Sequence, residues 1–406
     1  MPNPAPEHSD PNPANDDEGP NAERCAEVTG PETRTRTLSA DVLVVGAGLA
    51  GLTASRILAE RGHSVILAER HSTLTTTVRT TGIFVRRTLD DFTLPPECLG
   101  PPIRRVALYP PARDRSVTLE SERDEFRVGD MGPLYEEMAR AAVVAGARIL
   151  LGTRYTGRRG DLFSATSPDG PLRIRAAFVV GADGARSRVA RDLGLDRNRR
   201  LLIGAEEVFA ISAGAEPPTF HCVLDPSLAP GYLAWVVNDG EHAHVGVAGY
   251  SHRFPSGIQR ALQRFSATAP GLEGSERSGE VERRAGPIPV GGILRRIASP
   301  EGLLVGDAAG AVSPLTAGGL DPCLRLSEHA PDVIDEALRG QPEALADYDG
   351  AALRTRFRGR LAMRSALALV RTPAMARAAF AGLSTPPGQA AAKRILFGDR
   401  SFPDPA

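Results

Sequence analysis

A short apolar run, residues 40–45, ends in the glycine-rich turn GAGLAG at residues 46–51. That junction constrains the fold more than any other feature of the chain. The run is broken only by Asp41, as expected of a parallel strand buried on both faces. Gly46 permits a tight strand-to-helix bend, Gly48 lets the backbone approach a pyrophosphate, and Gly51 lets helix and strand pack closely. Residues 49–61 place Leu52, Ile57 and Leu58 at helical spacing, with Gly62 positioned as the C-terminal cap. A second strand follows at 64–68. Glu69 ends it, 21 residues after Gly48, where an acid bonds a ribose hydroxyl. The open N–H groups of the helix start suit phosphates. These features predict a βαβ unit that binds a dinucleotide. They do not separate NAD from FAD.

Two later segments repeat the strand–turn–helix arrangement. VVGADGARSRVAR, residues 179–191, delivers Asp183 and Gly184 at a strand end. GLLVGDAAGAVSPLTAGGL, residues 302–320, delivers Asp307 and then a turn through Gly318, Gly319 and Leu320. Taken singly, each is an α/β connection with aspartate as a helix cap. Their order after GAGLAG carries more information than either alone.

Together the three segments resemble the flavoprotein superfamily that includes p-hydroxybenzoate hydroxylase and the geranylgeranyl reductases. The resemblance covers residues 40–338. It implies an α/β fold: a doubly wound, Rossmann-like FAD-binding domain with an interleaved β-rich substrate domain. It implies FAD as cofactor and NAD(P)H as reductant. By the same resemblance, Glu69 binds the adenosine ribose and Asp183 lies near the pyrophosphate and a passing NAD(P)H. Asp307 bonds the ribityl chain or ribose. The turn Gly318-Gly319-Leu320 sets N–H donors against the isoalloxazine ring, where they stabilise an anionic reduced flavin. The cofactor set is completed by Gly46, Gly48, Ala50, Gly51, Arg70, Arg79, Thr81, Gly82 and Gly184.

Within that superfamily the reductase branch is the better match. Residues 230–250 resemble its Tyr-x-Trp strand and following Val-Gly-Val strand, and residues 283–292 resemble its Gly-x-Ile-Pro-x-Gly-Gly segment. SPLTAGGL, residues 313–320, resembles its flavin turn. Three positions depart from the pattern. Thr81 stands where the branch usually has cysteine, Ala317-Gly318 replaces Gly-Glu, and Asp130 stands where an arginine is often found. The favoured reaction is reduction of a carbon–carbon double bond in an apolar, isoprenoid-like small molecule. The alternatives are an NAD(P)H-dependent flavin monooxygenase acting on an aromatic or natural-product substrate, and a nucleotide-binding regulatory protein that keeps the fold. Thr81, Tyr232 and Trp235, the last two on an expected strand, are the candidates to line the reaction pocket.

The domain layout follows. Residues 1–38 are polar and rich in proline, the composition of a disordered tail. The FAD-binding domain takes 39–200 and 280–340, the β-rich substrate domain 201–279, and a C-terminal helical region 341–406. The net charge of −1 over 406 residues gives no global field for nucleic acid. Four scattered cysteines fit a reduced, cytoplasmic setting. No residues have metal-site spacing. His242 and His244 alternate on a strand and are expected on a polar solvent face. The arginine-spaced helix 360–383 is expected to pack over the core, with peripheral membrane contact through the C-terminal helices as the alternative.

Overall fold

The computed structural model describes residues 36–212, 217–273 and 277–398. Most of the expected tail lies outside them. Its last residues do not: the first strand, Arg36–Val45, already includes 36–38, because they pair in register with Leu172, Arg173 and Ile174.

Five parallel strands form the centre of the first sheet, in the order Gly302–Leu304, Gly170–Gly181, Arg36–Val45, Val65–Ala68, Arg148–Leu150. The strand Gly170–Gly181 shows why this order holds. Its first residues alternate buried and exposed, and its last four are all buried. One end of the strand is half-solvated beside an antiparallel hairpin, Arg154–Arg159 and Leu162–Ser167. The other end runs through the centre of the sheet, where both faces are covered. Helix Leu49–Glu60 packs between Met131–Val144 and Leu320–Leu338. The helix expected at 49–61 is therefore present, flanked by the other two.

A second sheet has seven strands, in the order Arg277–Pro289, Leu201–Ile211, His242–Gly249, Ala234–Asn238, Thr219–Val223, Arg105–Tyr109, Val117–Glu120. It extends beyond the expected 201–279 in both directions. Two of its strands come from the first half of the chain, and Arg105–Tyr109 lies parallel to Thr219–Val223. Pairing across more than 100 residues leaves no local trace in the sequence. One face of the sheet carries Ala205, Phe209, Val236 and Val245 against Leu262 and Phe265 of helix Ile258–Ser266. By the two-residue period of a strand, Glu206 and Trp235 point to the other face. Three short strands, Ile83–Val85, Leu99–Ile103 and Phe126–Gly129, form a third sheet.

Three helices close the described chain: Ala351–Leu367, Pro373–Leu383 and Pro386–Leu396. Pro373 opens a helix rather than breaking one, because a proline in the first turn gives up no helical hydrogen bond. Thr372 Oγ1 caps that helix by accepting from Met375 N at 3.3 Å. Among the described residues no helix is long and apolar enough to cross a membrane.

Candidate cofactor and active site

A cavity of about 790 Å³ runs between the ends of the parallel strands and the inner face of the second sheet. It gathers residues that lie far apart in sequence. Gly46, Gly48, Ala50, Glu69, Arg70 and Arg79 line it, as do Asp183, Gly184, Asp307, Gly318, Gly319 and Leu320. So do the three pocket candidates, Thr81, Tyr232 and Trp235. Gly51 and Gly82 do not line it. A Cβ on Gly51 would collide with Gly46 O, and one on Gly82, whose φ is +82°, would meet Gly129 O at 2.6 Å. These two glycines let the backbones behind the cavity wall close up.

The turn at 46–51 has two different demands on glycine. Gly46 has φ +105°, and a Cβ there would strike Ala182 O of the neighbouring strand end. A Cβ on Gly48 would meet nothing within 4 Å. The space beside Gly48 is open cavity, so that glycine is required by whatever occupies the space and not by the fold. Glu69 Oε2 accepts from Ala47 N at 2.8 Å and its Oε1 from His71 N at 2.9 Å. The acid therefore ties the first turn to the end of the second strand while lining the cavity.

Asp183 is half-buried. Its Oδ2 accepts from Arg188 N at 2.6 Å and Val189 N at 3.1 Å, and its Oδ1 has no partner. Burial raises its pKa despite those bonds. Asp307 sits at the start of a short helical turn, open only to the cavity, and burial pushes its pKa up to about 6. The turn that follows is held from two sides. Tyr232 Oη donates to Thr316 O at 2.5 Å, and Arg360 donates to Ser313 Oγ at 2.7 Å. Ala317, one of the departures noted above, takes a left-handed φ of +54°, a conformation glycine adopts without strain. Asp130 is exposed at the start of helix Met131–Val144 and makes no cap bond.

The far end of the cavity is mostly apolar, with Ile83, Phe126, Phe220, Leu233, Ile288 and Phe397 in its wall. Within it lies a polar group that the sequence reading missed. Thr81 donates to Glu206 Oε1 at 2.6 Å and Trp235 Nε1 donates to the same oxygen at 3.1 Å. Arg284 NH1 lies 3.9 Å from Oε2. Burial acts to lower the pKa of Arg284, but its bonds to Glu282 and the charge of Glu206 outweigh that and raise it. A signal for Glu206 was present. Glu206 and Glu207 are adjacent on a strand, so one of the two must point inward.

Several expectations need correction. Tyr232 is not on a strand: it lies in the turn before Ala234–Asn238. His244 is not on a solvent face. It is buried with its Nε2 3.7 Å from Asp239 Oδ2, while His242 is exposed. Among the described residues no cluster of three or more His, Cys, Asp or Glu could hold a metal. Helix Ala351–Leu367 turns Phe357, Arg360 and Arg364 inward and so packs over the site, with Arg364 bonded to Gly231 O. Arg360 and the closing residues Leu396 and Phe397 were not anticipated as parts of the cavity wall.

A family model described as FAD binding domain matches residues 39–93 and 134–348. Digeranylgeranylglycerophospholipid reductase 2 of Methanothermobacter thermautotrophicus is 31% identical over 318 residues, 73% of this chain and 78% of that protein. This chain belongs to that family of FAD-dependent oxidoreductases. Its fold is shared with a geranylgeranyl bacteriochlorophyll reductase-like protein from Thermoplasma acidophilum, at a TM-score of 0.75 and 22% identity, covering 90% of this chain and 98% of the other. It is shared also with p-nitrophenol 4-monooxygenase from Pseudomonas putida, at a TM-score of 0.60 and 19% identity, covering 90% and 94%. The oxidoreductase fold thus serves more than one reaction, and the site must choose.

FAD suits the residues present. The open space beside Gly48 admits a diphosphate against the helix start. The unpartnered Asp183 Oδ1 and the cavity-facing Asp307 are acceptors for donors from a ligand. Gly318, Gly319 and Leu320 line the opposite end, at a helix start, where backbone N–H groups have no partner within the helix.

Proposed function

We propose that this flavoprotein reduces a carbon–carbon double bond in an apolar, isoprenoid-like molecule, with NAD(P)H as electron donor. The observation that carries the reading is the apolar chamber between the flavin turn and the second sheet. Its wall of Ile83, Phe126, Phe220, Leu233, Ile288 and Phe397 favours a hydrocarbon chain over a polar metabolite. The reductase relatives support the same substrate class.

When bound, FAD supplies two-electron transfer through N5 of its ring. The chain's own residues supply position and electrostatics. Gly46, Gly48, Ala50, Glu69, Arg70 and Arg79 hold the adenosine diphosphate half. Asp183, Gly184 and Asp307 hold the middle. Gly318, Gly319 and Leu320 present donors to the ring. The aliphatic and aromatic wall excludes water from the reacting carbons. Thr81, fixed by Glu206, sets a hydroxyl in the chamber.

The test is spectroscopic and catalytic. The purified protein should be yellow, with one FAD per chain. NADPH should bleach it without oxygen, and the bleached protein should turn over a prenyl acceptor anaerobically. NADPH oxidation that requires oxygen and substrate together would instead assign hydroxylation.

A further inference from the structure

Glu206 has one carboxylate oxygen in use and one to spare. Oε1 accepts from both Thr81 and Trp235. Oε2 accepts no hydrogen bond from any described residue, and its nearest cation, Arg284 NH1, is 3.9 Å away. That distance balances charge but is too long for a hydrogen bond. Arg284 is also prevented from moving closer. Its Nε and NH2 bond the Glu282 carboxylate at 2.7 Å each, and its NH1 bonds Thr80 O at 2.9 Å. The Glu206 side chain is only 5% exposed, and it lines the cavity. A carboxylate oxygen without a protein donor, on a side chain that lines the cavity, is open to a donor from a ligand.

We propose that Glu206 Oε2 is a recognition point for the substrate, and that the substrate carries a neutral hydrogen-bond donor, a hydroxyl or an N–H, beside the double bond that is reduced. The inference rests on the reductase reading above and narrows it. The donor is neutral because Arg284 already balances the carboxylate, so an ammonium group would meet a guanidinium. It is a donor and not an acceptor because the open atom is a carboxylate oxygen. The surrounding wall is apolar, so this single acceptor orients an otherwise featureless chain. A functionalised isoprenoid, such as an allylic alcohol, meets both the apolar wall and the single acceptor.

The experiment uses the FAD-loaded full chain and two probes, geranylgeraniol and its methyl ether, which differ by the donor alone. Binding is read from the perturbation of the flavin spectrum, without turnover. The unmodified protein should bind the alcohol about tenfold more tightly than the ether, as a hydrogen bond to a charged acceptor gives. Glu206→Gln can keep a carbonyl for Thr81 and Trp235 while placing an amide donor at the Oε2 position. It should bring the two affinities within about twofold while the fluorescence of Trp235 stays unchanged. Equal affinities in the unmodified protein, or an undiminished preference in Glu206→Gln, would overturn the assignment. So would a flavin-loaded protein that binds neither probe. A protein without a flavin spectrum would instead remove the reductase reading itself.

Discussion

Arg360 donates a 2.7 Å hydrogen bond to Ser313 Oγ, so a helix near the end of the chain holds the turn that closes the flavin end of the cavity. Thr316 donates to the same Ser313 oxygen at 2.9 Å, and Ser313 N donates to Gly318 O. The C-terminal helices are therefore part of the site and not an appendage.

Replacing Arg360 by methionine keeps the apolar stem and removes the donor. A hydrogen bond from a charged group at a buried position contributes about 2 kcal/mol. The thermal midpoint of Arg360→Met should fall by a few degrees and its FAD should dissociate more readily on gel filtration. Full retention of flavin at an unchanged midpoint would show that the turn does not depend on this contact.

The glycine turn separates a fold requirement from a ligand requirement. Gly51→Ala drives a Cβ into Gly46 O, and should destabilise even the FAD-free protein by more than about 3 kcal/mol. Gly48→Ala meets open space. The FAD-free protein should keep its urea midpoint, while FAD affinity drops at least tenfold by titration. Equal loss of stability in both variants would contradict the division.

Asp307 and His221 make opposite pH contributions. Burial raises the Asp307 pKa from 3.8 to about 6. The folded FAD-free protein then holds a proton that the unfolded chain has released, so this group's contribution falls as pH rises from about 4 to 6, by up to about 3 kcal/mol. Burial lowers the His221 pKa from 6.5 to about 4. There the unfolded chain binds the extra proton, so its contribution rises over nearly the same range. The two offset each other. Asp307→Asn removes one of them. Its stability relative to the unmodified protein should be unchanged below pH 4 and higher above pH 6, as read by urea unfolding of the FAD-free forms. Asp307→Ala should also lose FAD on gel filtration.

Trp235 is the only tryptophan in the chain, and its ring lies flat over Gly246, where an added Cβ would collide with it. Gly246→Ala should displace the indole from Glu206. The expected readout is a shifted emission maximum together with weaker binding in the apolar chamber. An unshifted spectrum would show that the sheet gives way instead.

The sequence by itself determined the cofactor half of this protein. GAGLAG, Glu69, Asp183 and Asp307 each stand at the end of their own strand, and a strand end followed by glycine or aspartate is a local pattern. Local patterns survive in a one-dimensional reading because backbone sterics and capping act over a few residues.

The reaction half was decided by the tertiary structure. Glu206 reaches Thr81 across 125 positions and Arg360 reaches Ser313 across 47. The strand Arg105–Tyr109 joins a sheet whose other strands, apart from its neighbour Val117–Glu120, lie beyond residue 200. Contacts of that kind depend on which surfaces folding brings together, and no spacing rule encodes them. The departures at Thr81 and Ala317 were visible as letters. Only packing shows that Thr81 holds a buried carboxylate, and that Ala317 keeps a left-handed turn that glycine would adopt without strain.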